Sequence, residues 1–288
     1  MEVLGLLIEG WSNARIAAVL VIAPRTVTAH VEHILAGSVA LADDVLGQAE
    51  LMGRRHRRVP PPSSGFAGFR FPDEVIMLAV RWYLRYGLSY RDVEELLAER
   101  GIEVDHVTIY RWVQRFTPLL IDAARPCRHA PGDRWFVDET YVKVAGAWRY
   151  VYRAVDQFGQ FIDVMVSEKR DLAAARRFFT RALNTTTLTP VEVITDKAAV
   201  YPGVVEELAP GAWHHTEPYA NNRIEADHSQ LKRRLRPMRG LKTDRAARIV
   251  TGGHGFVQNI RRGHYELGTE KPVNLRVTTA FDELALAI

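Results

Sequence analysis

The chain has 288 residues, 47% of them hydrophobic, with 38 Lys and Arg against 34 Asp and Glu and a formal net charge of +4. That is enough apolar material for one sizeable core plus one or two helical modules, and the mild basic excess favours polyanionic partners without requiring them. The single cysteine, Cys127, excludes an internal disulfide framework and a cysteine-based zinc site, and no run reaches the roughly 18 uncharged apolar residues of a membrane span, so a cytoplasmic protein without membrane contact is expected.

Residues 1–50 read as short helices. Arg54-Arg55-His56-Arg57-Arg58 and then Val59-Pro60-Pro61-Pro62-Ser63-Ser64-Gly65 break all periodicity, which marks 51–68 as a basic, Pro-rich linker. Over 72–86 apolar residues recur at helical spacing (Val75, Ile76, Leu78, Ala79, Trp82, Tyr83), and Gly87 ends the helix. Two more helices fit between Ser89 and Phe116. The first has Ser89 as N-cap with Asp92 three residues on; the second opens at Asp105 after Gly101, a helix-turn-helix spacing that gives a domain over 69–128.

Near Arg134 the pattern changes to β-branched and aromatic residues. Strands are expected over 135–144, 148–156 and 161–167, separated by Ala145-Gly146-Ala147 and Gln157-Phe158-Gly159, which makes an antiparallel meander. A helix follows from Asp171 to about Leu183, then a buried strand over 191–195 that ends at Asp196. After a helix over 198–208 and a short strand near Trp213, a long helix starts at about Asn222. The expected fold class is α/β, a mixed sheet with flanking helices over 129–240, preceded by all-α modules and followed by a basic helical tail over 241–288.

Three carboxylates stand out by location. Asp138 is in the middle of the first strand, Asp196 follows the fourth, and Glu225 is in the first turn of the last long helix. If the first and fourth strands are neighbours and that helix crosses their ends, the three meet. Clustered carboxylates repel one another unless a cation lies between them, and hard oxygen ligands select Mg²⁺ or Mn²⁺. Each acid also has an ordinary reading: an outward residue of an edge strand, a helix cap, or an acid favoured by the helix dipole. Of the rivals Glu139, Asp156, Asp163 and Asp227, strand alternation turns Glu139 to the face opposite Asp138, and Asp156 sits beside a turn.

Trp135-Phe136-Val137-Asp138-Glu139-Thr140-Tyr141-Val142-Lys143, Thr195-Asp196-Lys197-Ala198 and Asn221-Asn222-Arg223-Ile224-Glu225-Ala226-Asp227-His228 together resemble the DDE transposases of the insertion-sequence-six family. The resemblance runs from about Phe66 to Leu267 and includes Leu88-Ser89-Tyr90-Arg91-Asp92, Val107-Thr108-Ile109-Tyr110-Arg111-Trp112 and Pro237-Met238-Arg239-Gly240-Leu241-Lys242. It implies a ribonuclease H-like catalytic domain, catalytic and metal-binding acids at Asp138, Asp196 and Glu225, and a basic catalytic-site residue at Lys232. It further implies binding to terminal inverted repeats and replicative movement, and in-line phosphodiester cleavage calls for two divalent ions, one for the attacking water and one for the leaving oxygen. Only 28 residues lie between Asp196 and Glu225, shorter than in many members, so the segment carrying Trp213-His214-His215 is expected to be trimmed.

Between 223 and 248 nine Lys or Arg face three acids, a run better suited to phosphate contacts than to a solvated helix face. Arg233, Arg234, Arg236, Arg239 and Lys242 are the expected DNA contacts there. In the helix-turn-helix, Val107, Ile109, Trp112, Val113 and Phe116 are expected to face inward, leaving His106, Thr108, Tyr110, Arg111, Gln114 and Arg115 for DNA. His106, His214, His215 and His228 show no metal-ligand spacing and are expected in ordinary surface or core roles. The partners expected are double-stranded DNA, both element ends and target, and further copies of the chain in a homodimer or larger active complex close to the nucleoid.

A second resemblance covers the first fifty residues. The stretch from Ser12 through Pro24-Arg25-Thr26-Val27-Thr28-Ala29-His30 is similar to the helix-turn-helix of LuxR-type regulators, with Arg25, Thr28 and His30 toward DNA. The chain begins inside the first helix of that module, Ala23 replaces its usual capping Ser, and the sequence from Ala36 departs from its last helix. A regulator fragment joined to a transposase is therefore expected, with Met52 as a start for the transposase proper. The competing reading is a DNA-binding transcription regulator with an inert ribonuclease H-like part, which would bind an operator without metal. A structure-specific nuclease acting on RNA hybrids is a third.

Overall fold

The computed structural model describes residues 64–186, 188–217, 221–238 and 240–288, without the side chains of residues 222 and 223. The LuxR-like module over 1–50, most of the 51–68 linker and the expected DNA contact Arg239 lie outside the described residues.

Three helices open the described chain: α1 (Asp73–Arg85), α2 (Tyr90–Ala98) and α3 (His106–Ala124). The Ser89 capping box is formed, with Ser89 N–H donating to Asp92 at 2.7 Å and Asp92 N–H to Ser89 Oγ at 3.2 Å. Asp105 caps α3 by accepting from Val107 and Thr108 N–H. Gly101, at φ +73°, makes the tight turn between the two helices. The inward face of α3 departs from expectation at two positions. Val107, in the first turn, is 42% exposed, whereas Gln114 is buried at 7% exposure with neither amide atom hydrogen-bonded. Gln114 falls within the Val113–Phe116–Thr117 stripe that packs inward, so burial removes it from a DNA-facing surface. His106 is tied to Glu94 at 3.0 Å and the Thr108 hydroxyl to Asp105 at 2.6 Å, while Arg111 and Arg115 are exposed.

Five strands form one sheet in the order β3-β2-β1-β4-β5: β1 (Arg134–Val144), β2 (Ala147–Asp156), β3 (Phe161–Ser167), β4 (Glu192–Ile194) and β5 (Trp213–His215). The first three are antiparallel; β4 pairs parallel with β1, and β5 parallel with β4. This is the expected ribonuclease H-like arrangement, with β1 and β4 adjacent. Helices α4 (Leu172–Thr186) and α5 (Tyr201–Leu208) cover one face, where Phe178, Phe179, Tyr201, Val204 and Val205 pack on Trp135, Val137, Tyr152 and Ala154.

The other face carries α6 (Asn222–Leu235), α7 (Asp244–Arg262) and α8 (Val273–Ala285). Residues 241–288, read as a tail, contain the buried face of α7, which packs on β3, α1, α3 and α8 within one apolar cluster. A Cβ at Gly253 would lie 2.7 Å from Leu84 and 2.8 Å from Thr117, so glycine there lets α7 approach α1 and α3 closely. Among the described residues no helix is long and apolar enough to cross a membrane.

Candidate active site

The site forms where the sheet opens. β4 pairs with β1 only at Arg134, Trp135 and Phe136, so from Val137 onward that edge of β1 has no β4 partner. The gap is filled by side chains and by the approach to α6. The Asn221 amide donates to the Val137 carbonyl at 3.1 Å, so Asn221 ties the start of α6 to β1 instead of capping the helix. Ile224, in the first turn, packs with Val155, Phe161 and Phe136. Glu225 follows it, exposed, on the side toward Asp138.

Asp138 is buried, and one of its oxygens accepts from Glu139 N–H at 2.8 Å. Burial, then the nearby carboxylates of Glu139, Asp196 and Glu225, push its carboxyl up to about 7. Asp196 accepts from Ala198 N–H at 2.9 Å, so it does cap the turn after β4, and its other oxygen takes the Arg170 guanidinium at 2.9 Å. Arg170 also pairs with Glu139, which accepts from the Tyr201 hydroxyl on the far side. Burial raises Glu139 as well, against the opposing pull of Tyr201 and Arg170.

Two groups of ligand atoms result, each with its members within 4.8 Å of one another: Asp138 with Glu139 and Asp196, and Asp138 with Glu225 and His228. Asp138 belongs to both. The structure thus brings all three expected acids to one region, with Asp196 and Glu225 in different groups that share Asp138. Two residues outside the expected set stand beside it. Glu139 is turned by alternation to the face where Tyr201 packs, as expected, and still has a carboxylate oxygen within 4.8 Å of ligand atoms of Asp138 and Asp196. His228 is not an ordinary core histidine: Nδ1 is 3.8 Å from Asp138, Nε2 has no partner among the described residues, and burial with Arg153 and Lys232 nearby pushes it down to about 3, keeping it neutral. His228 follows Glu225 by three residues, a same-face helical spacing visible in the sequence. Nothing in the sequence pattern points to Arg170.

Three nominally anionic groups crowd a buried Asp138, Arg170 pairs with two of them, and the donors are mostly hard oxygens. That donor set fits a divalent cation.

The basic residues divide. Lys232 is exposed, with its ammonium 5.4 Å over the Tyr141 ring, and Arg233, Arg236 and Lys242 are exposed. Arg234, expected on DNA, is buried: its guanidinium donates to the carbonyls of Tyr83 and Leu88 and stacks 4.5 Å over the Tyr83 ring. It falls on the α6 face that carries Leu231 and so ties α6 to α1. The other rivals are structural. Asp156 accepts from Gly132, Phe158 and Gln160 N–H, Asp163 pairs with Arg181, and Asp227 pairs with Arg262.

A ribonuclease H-like sheet whose first and fourth strands, with the helix after them, gather acids at an open sheet edge suits metal-dependent phosphodiester chemistry. Residues 132–264 match the family described as DDE domain, and residues 1–36 match bacterial regulatory proteins of the luxR family. The transposase for insertion sequence-like element IS431mec of Staphylococcus aureus (strain Mu50 / ATCC 700699) is 39% identical over 180 residues, covering 60% of this chain and 80% of that protein. The transposase for insertion sequence element IS257 in transposon Tn4003, also of Staphylococcus aureus, is 38% identical over the same length and shares. Among solved structures, the HTLV-2 integrase catalytic core domain in complex with magnesium (trimeric form) matches at 15% identity and a TM-score of 0.35, over 46% of this chain and 88% of that one. The chain belongs to the DDE transposases of bacterial insertion sequences, of the insertion-sequence-six type. An inert regulator is not favoured.

Proposed function

We propose that this transposase binds the terminal inverted repeats of its element, hydrolyses one strand at each end, and joins the freed 3′-hydroxyl to target DNA, moving the element replicatively. The observation that carries this reading is the pair of ligand groups sharing Asp138, which offers one position on the Asp196 side and one on the Glu225 side. Asp138, Asp196 and Glu225 are the ligands of two Mg²⁺ or Mn²⁺ ions in this reading. Held there, such a pair would supply an activated water on one side of a phosphodiester and stabilisation of the leaving oxygen on the other.

The chain's own residues do the rest. Asp138 loses its proton to serve both positions. Arg170 holds Asp196 and Glu139 from outside the cluster, and neutral His228 closes its buried side. Lys232, seven residues and about two helical turns after Glu225, holds the DNA end beside the acids. Exposed Arg233, Arg236 and Lys242, with Arg239, take phosphates, and Arg111 and Arg115 of α3 meet the terminal repeat.

In domain terms, 69–128 recognises ends, 129–240 carries the chemistry, 241–288 braces the two, 51–68 links, and 1–50 is a LuxR-like appendage. Two ends must be handled together, so the active complex is a homodimer or larger, acting on chromosomal DNA in the cytoplasm.

The test is strand cleavage on duplexes carrying the element's own ends, in Mg²⁺ and in chelator, with Asp138→Asn, Asp196→Asn and Glu225→Gln. Cleavage that needs the metal and fails in all three variants is expected. Near-normal cleavage by any one of them removes that acid from the site.

A further inference from the structure

Beyond the acids, an exposed aromatic pair lies at the far end of the β1–β2 hairpin. Tyr141 and Trp148 are 57% and 56% exposed, so most of each side chain that the fold has not packed away is open to water. Their rings meet edge to face at 5.2 Å. An ammonium stands over each: Lys232 at 5.4 Å from the centre of Tyr141, and Lys143 at 5.6 Å from the centre of Trp148. Lys143 and Trp148 are register partners across the two strands, so the four side chains form one patch. Two large aromatics exposed side by side form an apolar patch suited to binding, and flexible lysine chains are easily displaced from a ring face.

The patch lies on the strand and the helix that carry acids of the cluster. Tyr141 follows Glu139 by two residues on the same strand face, about 7 Å along β1 and close to two nucleotide rises of a DNA strand. Lys232 is on the helix that carries Glu225. Beyond Tyr141, the open β1 edge continues to Val144, which bridges to Leu241 and so brings exposed Lys242 alongside. Rings flanked by cations, beside a site for a phosphodiester, suit an unpaired base whose phosphates remain with the lysines.

We propose that Tyr141 and Trp148, framed by Lys143 and Lys232, are a stacking platform for a base drawn out of the duplex one or two nucleotides from the bond that is cut. This rests on the transposase reading above. The base leaves the stack, exchanges base pairing and neighbour stacking for the two rings, and so opens the end for the acids to reach its backbone. No bond is made or broken at the platform.

The experiment uses the full chain and duplexes of the element's own end, scanned with 2-aminopurine or with a mismatch at each of the nucleotides flanking the cut. Tyr141→Ala and Trp148→Ala are each expected to slow cleavage between about 5-fold and 160-fold, the range of one lost base–aromatic stack. End binding and the thermal midpoint should stay close to those of the unaltered protein, and Trp148→Phe should keep most of the rate. A mismatch at the extruded position, which makes unpairing easier, should restore much of the rate to the alanine variants, and 2-aminopurine fluorescence should change at that position in the parent only.

If the parent protein cuts the ends and Tyr141→Ala/Trp148→Ala cuts them equally fast, the platform is overturned while the transposase reading stands. A parent protein that never cuts its ends in Mg²⁺ or Mn²⁺ overturns both. Loss of cleavage accompanied by a smaller oligomer in the absence of DNA also overturns the platform, because it assigns the rings to contact between copies of the chain.

Discussion

Replacing Asp227 with alanine should unfold the catalytic domain at a much lower temperature, although the residue takes no part in the acid cluster two positions away. Asp227 is 2% exposed and accepts from Arg262 of α7 at 2.5 Å. Arg153 of β2, 1% exposed, is close enough for its charge to be felt: burial pulls its guanidinium down to about 10, Asp227 opposes that shift and Arg262 adds to it. Asp227 is therefore the negative centre between two cations in a site with little water. Its removal leaves Arg153 and Arg262 facing each other uncompensated, and breaking a buried pair from one side costs about 3 to 5 kcal/mol. For a domain of this size that is a fall in midpoint of roughly 6 to 20 °C. Thermal unfolding by circular dichroism measures it, with Asp227→Asn expected to lose less. The double variant Asp227→Ala/Arg262→Ala should lose less than the sum of its singles, because the charge left stranded by one change is removed by the other. A fall of under about 2 °C, or strict additivity, would refute the view that this pair clamps α6 onto α7 and thereby sets the position of Glu225.

Asp138→Asn should abolish cleavage yet raise the midpoint of the metal-free protein at pH 8, since it removes a carboxylate crowded by three others. Because Asp138 is raised to about 7 from an ordinary value near 4, its favourable contribution is complete below about pH 4 and is lost as the pH rises through 7. The metal-free midpoint should therefore decline between pH 5 and 8, and Mn²⁺ should protect more at pH 8 than at pH 5; equal protection at both would contradict the raised value. Arg234→Met should lower the midpoint, whereas Arg233→Ala should weaken end binding and its salt dependence at an unchanged midpoint, both read by thermal unfolding and gel shift. Gln114→Leu should raise the midpoint by removing two unpaired buried amide atoms and leave end binding intact; weakened binding would return Gln114 to the DNA-facing side of α3.

Much of this was legible in the sequence because the signals are local. Ser89 with Asp92, Asp105 after Gly101, and the β-branched runs before Ala145-Gly146 and Gln157-Phe158-Gly159 each state their element within a few residues. That Asp138, Asp196 and Glu225 come near one another was legible from element order, since a parallel β1–β4 pair puts a mid-strand residue beside a strand end. What escaped depends on non-local facts. That β4 pairs with β1 over three residues only follows from how the chain leaves the sheet at Thr195. The burial of Arg234 and Gln114 depends on which helix packs over them, and a basic run or a polar residue in the sequence does not say which face it falls on. The roles of Asn221 and Arg170 need the open sheet edge to be seen first. The packing of α7 against both α3 and β3 is likewise a property of the assembled core.

The account depends on two cation positions that share one carboxylate. Crystals of the protein with its cleaved end, grown in Mn²⁺ and measured at the manganese absorption edge, test it directly. Two anomalous peaks about 4 Å apart, one between Asp138 and Asp196 and the other between Asp138 and Glu225, are expected. Peaks that avoid Asp138, or manganese bound with Glu225 turned away from it, would contradict the assignment.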